Sequence, residues 1–103
     1  MSIEKTPEEN TGIPGPSLFL FWKDNCPPCE ALKPIIRDIA RCLDVELKER
    51  KASEHMGLLS SLGVRGVPAV VYLGKPLFIG NPGYDAVMAL VKRVVLPKPG
   101  NVT

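Results

Sequence analysis

The chain has 103 residues, 45% of them hydrophobic, and a formal net charge of +2 from 13 basic and 11 acidic side chains. That length holds one domain with an ordinary core, and the interspersed signs leave no basic block that would imply nucleic acid as a partner. The longest strongly apolar run, LFLF at 18–21, is too short for a membrane span or a leader core, and the acidic start lacks a basic leader region; the expectation is a cytoplasmic monomer with no membrane partner.

Residues 1–16, MSIEKTPEENTGIPGP, hold three prolines and two glycines without a repeating apolar face. They predict an irregular or flexible N-terminal arm ahead of a domain over 17–96. SLFLFW at Ser17 to Trp22 is continuously apolar and follows a proline, which suits a strand buried on both faces of a parallel or mixed sheet. Prolines in a first turn, Glu30 near the positive end of the dipole and the stripe Leu32, Ile36, Ile39 and Leu43 then predict a helix. Pro34 is expected to kink this helix and not to end it.

Asp44 to Glu49 alternates apolar and charged residues and predicts a half-buried strand through Val45 and Leu47. Ser53 is the expected cap of a short helix running to Leu62, with Met56, Leu59 and Leu62 inward and Gly63 closing it. Ala69 to Leu73 predicts a strand, Gly74-Lys75 a tight turn, and Pro76 to Ile79 an edge strand. A last helix from about Asp85 to Val95 carries Val87, Leu90, Val91 and Val94 on one stripe, and PKPGNVT over 97–103 ends as a tail. The order is β-α-β-α-β-β-α, an α/β domain with a four-stranded mixed sheet and three helices.

Three cysteines do not make a disulfide-stapled secreted scaffold. Cys26-Pro27-Pro28-Cys29 puts two thiols where a strand hands over to a helix, within reach of a small disulfide ring and of the positive end of the helix dipole. That dipole is worth about 0.3–1 kcal/mol at an exposed site. The two prolines subtract two amide donors, so Cys29 and the residues after it must supply the hydrogen bonds, and Cys26 is expected to be less acidic than its position alone suggests. Cys26, ahead of the helix and more exposed, is the candidate nucleophile; Cys29, facing inward, is the resolving thiol.

A zinc site is the rival chemistry, because Cys42 and His55 complete a three-cysteine, one-histidine set on paper. Cys29 and Cys42 lie thirteen residues apart on one predicted helix, about 20 Å along its axis, so redox chemistry ranks above metal and no metal is assigned. Cys42 reads as a small core or boundary residue and His55 as solvated.

Trp22 at the strand end, the Cys26–Cys29 pair, Pro34 five residues on, and Gly63-Val64-Arg65-Gly66-Val67-Pro68 together resemble the thioredoxin-like superfamily over residues 17–96. The resemblance implies a minimal thioredoxin fold whose N-terminal strand and helix are absent or irregular. It implies dithiol–disulfide exchange with protein substrates and no metal or bound organic cofactor. It also implies a cis bond before Pro68 facing the cysteines, with Trp22, Val67, Pro68 and Gly80 contacting substrate and the Val67 backbone pairing with an extended peptide.

Two branches compete. Trp22, Pro34 and VRGVP resemble thioredoxin, with a reductase as electron donor. Lys23, the short hairpin and IGNPGYD resemble glutaredoxin, where glutathione would be co-substrate and Lys23, Tyr84 and Asp85 its contacts. Leu20 stands where thioredoxins keep a buried aspartate, and Asn25 where they keep a tryptophan. A binding module with incidental cysteines is the reading from another class.

Overall fold

A computed structural model describes residues 17–95. The arm at 1–16, residue 96 and the tail at 97–103 lie outside the described residues.

Four strands form one mixed sheet: β1 (Ser17–Trp22), β2 (Glu46–Lys51), β3 (Ala69–Tyr72) and β4 (Lys75–Ile79), in spatial order β2-β1-β3-β4. β1 pairs parallel with β2 and antiparallel with β3, and β3 pairs antiparallel with β4. Between β1 and β2 runs α1 (Pro27–Cys42); α2 (Met56–Ser61) precedes β3, and α3 (Tyr84–Val95) follows β4. The expected α/β order and mixed four-stranded sheet are therefore present.

Alternation along β1 sends side chains to two unequal cores. Leu18 and Leu20 pack with Leu32, Ile36 and Ile39 of α1 and with Val87 and Val91 of α3. Phe21 joins Leu59, Val64, Ala69 and Val71 on the opposite face, which α2 covers. Burying each large aliphatic or aromatic side chain contributes about 1.5–3 kcal/mol, so the α1–α3 face holds most of the stabilisation. α1 continues past Pro34 to Cys42.

Several local expectations are corrected. β2 runs from Glu46 to Lys51 and not from Asp44, because Asp44 adopts a left-handed φ of 56° and the Val45 N–H bonds back to the Ala40 carbonyl at 2.9 Å. Ser53 caps nothing: residues 52–54 form a 3-10 turn, α2 starts at Met56, and Met56 is 61% exposed. Six helical residues leave only Leu59 fully buried.

The hairpin turns on Leu73-Gly74, one residue earlier than read, since Tyr72 pairs with Lys75 and φ is positive at both Leu73 (53°) and Gly74 (75°). This is the two-residue geometry that matches strand twist. In α3 the buried positions are Val87, Val91 and Val95, four residues apart, while Val94 faces water. Cys42 is an exposed thiol and not a core residue, the stripe passing from Ile39 to Leu43 around it. His55 is half-buried and meets the Phe21 ring edge-on at 5.7 Å between centroids, so it is not simply solvated.

Candidate active site

Chain geometry collects the predicted residues at one end of the sheet. Phe21 pairs with Ala69, Trp22 with Lys51, and Ala69 with Ile79. The next residues outward, Trp22, Pro68 and Gly80, therefore sit side by side at the edge from which β1 leads to the cysteines. The Val67–Pro68 bond is cis, as the resemblance implies. The Gly80 N–H donates to the Pro68 carbonyl at 2.7 Å, which fixes the turn after β4 against this segment. Gly80 holds φ at 93°, a region open chiefly to glycine. The β3–β4 ladder begins at Ala69, so Val67, half-buried, lies just outside it.

Cys26 is the N-cap of α1, extended at φ −128° and ψ 92°, and Pro27 and Pro28 occupy the first turn. Neither proline has an amide hydrogen, and the Cys29 N–H is the donor that reaches Cys26 Sγ, at 3.2 Å. Cys26 and Cys29 form a disulfide with their Cα atoms 5.2 Å apart. Cys29 is fully buried; Cys26 is only slightly less so, at 5% exposure, so its expected greater access holds by a narrow margin. Leu20 is also fully buried.

A cationic clasp around Trp22 escaped the sequence reading. Lys33 Nζ lies 4.1 Å from the Trp22 ring centroid, and Lys51 Nζ 5.7 Å from it. Such contacts are worth about 0.5–1 kcal/mol when exposed and more when desolvated. Each ammonium has a carboxylate partner: Glu30 for Lys33 at 3.1 Å and Asp24 for Lys51 at 2.8 Å. The hydrogen bond to Asp24 holds the Lys51 ammonium above its ordinary range. The four-residue step from Cys29 to Lys33 was visible in the sequence, whereas the Trp22–Lys51 pairing depends on a parallel register that no local pattern reports.

The residues suggested for glutathione contact are Lys23, Tyr84 and Asp85. The Tyr84 hydroxyl donates to Asp38 Oδ2 at 2.6 Å. Asp38 lies nine residues beyond Cys29 on α1, about 14 Å along the axis. That bond pushes the Tyr84 hydroxyl up to about 12. Tyr84 is thus bonded to α1. Lys23 and Asp85 are exposed. The turn before α3 satisfies itself: the Gly83 N–H donates to Asn81 Oδ1 at 3.1 Å, and the Gly83 carbonyl accepts the Val87 N–H at 2.9 Å. Among the described residues no three His, Cys, Asp or Glu side chains gather as a metal site, and no helix is long and apolar enough to cross a membrane.

No protein-family model matches the chain. Curated relatives do: a thioredoxin of Rickettsia bellii is 36% identical over 58 residues, covering 54% of this chain and 55% of that protein. A thioredoxin of Methanocaldococcus jannaschii is 29% identical over 76 residues, covering 72% of this chain and 89% of that one. Among solved structures, a mutant thioredoxin from Halobacterium salinarum superposes with a TM-score of 0.69 at 29% identity, covering 82% of this chain and 79% of that one. These sequence and structure likenesses support assignment to the thioredoxin-like superfamily. The first relatives are matched over about half of their own length, 55% for the Rickettsia bellii thioredoxin and 42% for a chloroplast thioredoxin of Arabidopsis thaliana.

Proposed function

We propose that the protein is a thiol–disulfide oxidoreductase that reduces or exchanges disulfides of protein substrates, closer to thioredoxin than to glutaredoxin. The observation that carries this reading is the Cys26–Cys29 disulfide at the start of α1, at the same sheet end as cis Pro68. In the reduced protein the Cys26 thiolate, accepting from the Cys29 amide, attacks one sulfur of a substrate disulfide, and the other sulfur leaves as a thiolate. Cys29 then attacks Cys26 Sγ, the Cys26–substrate bond breaks, and the second substrate sulfur departs reduced. The substrate gains two electrons and the protein regains its disulfide.

Trp22, Val67, Pro68 and Gly80 form the docking edge, where the Val67 backbone pairs with an extended substrate segment. The reaction requires no metal or bound organic cofactor. A reductase supplies electrons, and the protein works as a cytoplasmic monomer. Support for a reductase over glutathione comes from the thioredoxin names of the relatives and from Tyr84 and the Gly83 amide being engaged elsewhere.

Insulin reduction by dithiothreitol tests the reading. The wild type accelerates it and Cys26→Ser does not; no acceleration, or full activity in Cys26→Ser, refutes the enzyme and leaves a binding module. Comparing turnover driven by thioredoxin reductase with that driven by glutathione and its reductase decides the branch, the former being expected to be faster.

A further inference from the structure

Resolution requires Cys29 to lose a proton where water does not reach: its side chain is 0% exposed, as are Leu32 and Ile36 further along α1. Burial holds a thiol in its neutral form. Among the described residues the one buried side chain of the polar or charged types is Ser17, bonded to Glu46 at the far end of β1. Among the described residues no buried carboxylate is present to accept the Cys29 proton.

The fold offers a cation instead. Lys33 follows Cys29 by four residues and so lies one turn away on the same face of α1. Its side chain is 16% exposed, with Nζ held 4.1 Å from the Trp22 ring centroid and 3.1 Å from Glu30 Oε2. Glu30, its partner, is 63% exposed, so water screens that carboxylate more than it screens the ammonium. We propose that Lys33, stacked on Trp22, is a positioning residue that stabilises the Cys29 thiolate and thereby drives resolution of the mixed disulfide.

This rests on the dithiol reading above. The step balances without a further reactant: the Cys29 proton passes to solvent, the Cys29 thiolate forms a bond to Cys26 Sγ, and the substrate thiolate that leaves takes up a proton from solvent. Several other charges face this corner. From the β1–α1 loop and β2 come Asp24 and Lys51, paired at 2.8 Å; Glu49 of β2 binds Arg37 of α1 at 2.7 Å; Lys23 is exposed in the loop and Glu54 in the 3-10 turn. Asp24 and Glu49 are thus matched to Lys51 and Arg37, and Lys33 is the cation that shares the Cys29 face.

A two-phase reaction with Ellman's reagent of reduced protein carrying Cys42→Ser, which removes the exposed third thiol, tests the role. The first thionitrobenzoate released reports attack by Cys26, and the second reports displacement by Cys29. Lys33→Met keeps the stem over Trp22 and removes the charge. It is expected to slow the second phase about tenfold at neutral pH and to move its pH midpoint up by about one unit, with the first phase unchanged. Lys33→Arg restores both. Thiolate absorbance in protein carrying Cys26→Ser and Cys42→Ser, with and without Lys33→Met, reads Cys29 directly and is expected to move the same way. An unchanged second phase and midpoint in Lys33→Met overturns the proposal, as does an equal slowing in Lys51→Met or a failure of Lys33→Arg to restore. A Cys42→Ser protein that releases only one thionitrobenzoate refutes the dithiol reading itself.

Discussion

Single surface pairs decide how the fold responds to acid. Arg37 reaches Glu49 with two nitrogens, at 2.7 and 2.8 Å, linking α1 to β2. The hydrogen bond from Arg37, followed by its charge, holds the Glu49 carboxyl below its ordinary range. A carboxylate lowered in the folded state stabilises above its unfolded value and loses that contribution as pH falls through the folded one. The guanidinium is 53% exposed and Glu49 26% exposed, so solvent discounts the pair to about 0.5 kcal/mol. Arg37→Met is therefore expected to cost that amount at neutral pH, measured by urea unfolding, and nothing once pH is well below about 4. A cost independent of pH would assign the loss to packing of the arginine stem.

At the scale of elements, the β3–β4 hairpin departs from ideal turn chemistry at one position. Leu73 sits at φ 53°, is 68% exposed, and occupies the first place of a two-residue turn where asparagine or glycine is favoured. Leu73→Asn is expected to raise stability by about 0.5–1 kcal/mol, seen as a higher urea midpoint at unchanged slope; a lower midpoint would mean the leucine side chain packs usefully. Elements also show what the sequence disclosed. SLFLFW and the stripe through Leu32, Ile36 and Ile39 were legible because their burial follows from period alone. Cys26 and Cys29 were legible because their chemistry is local to four residues, and cis Pro68 because a resemblance carried it. Ser53, Met56 and Cys42 were misread because a short helix or a helix end can rotate by one position at little cost. The lysines on Trp22 stayed hidden because Lys51 arrives through a parallel pairing 29 residues away.

Across the whole molecule the two faces of the sheet are unequally covered. α1 and α3, of 16 and 12 residues, pack on one face, whereas α2 has six residues and buries fully only Leu59. Local opening follows the smaller buried area, so amide hydrogens of α2 are expected to exchange before those of α1 under native conditions. Ile36→Ala, in the larger core, is expected to cost about 2–5 kcal/mol and to raise exchange throughout the sheet. Protection of α2 equal to that of α1 would show that the faces open together.

The antiparallel register of β1 with β3 also places the Leu73-Gly74 turn beside Leu18, at the opposite end from Trp22 and Pro68. One rim of the sheet therefore carries the Cys26–Cys29 disulfide and the other a solvent-exposed turn. A peptide tag, a fluorophore or a new pair of chain ends placed between Leu73 and Gly74 is expected to be tolerated there with the disulfide at the far rim undisturbed, which makes this turn the natural point at which to immobilise the protein or fuse it to a target.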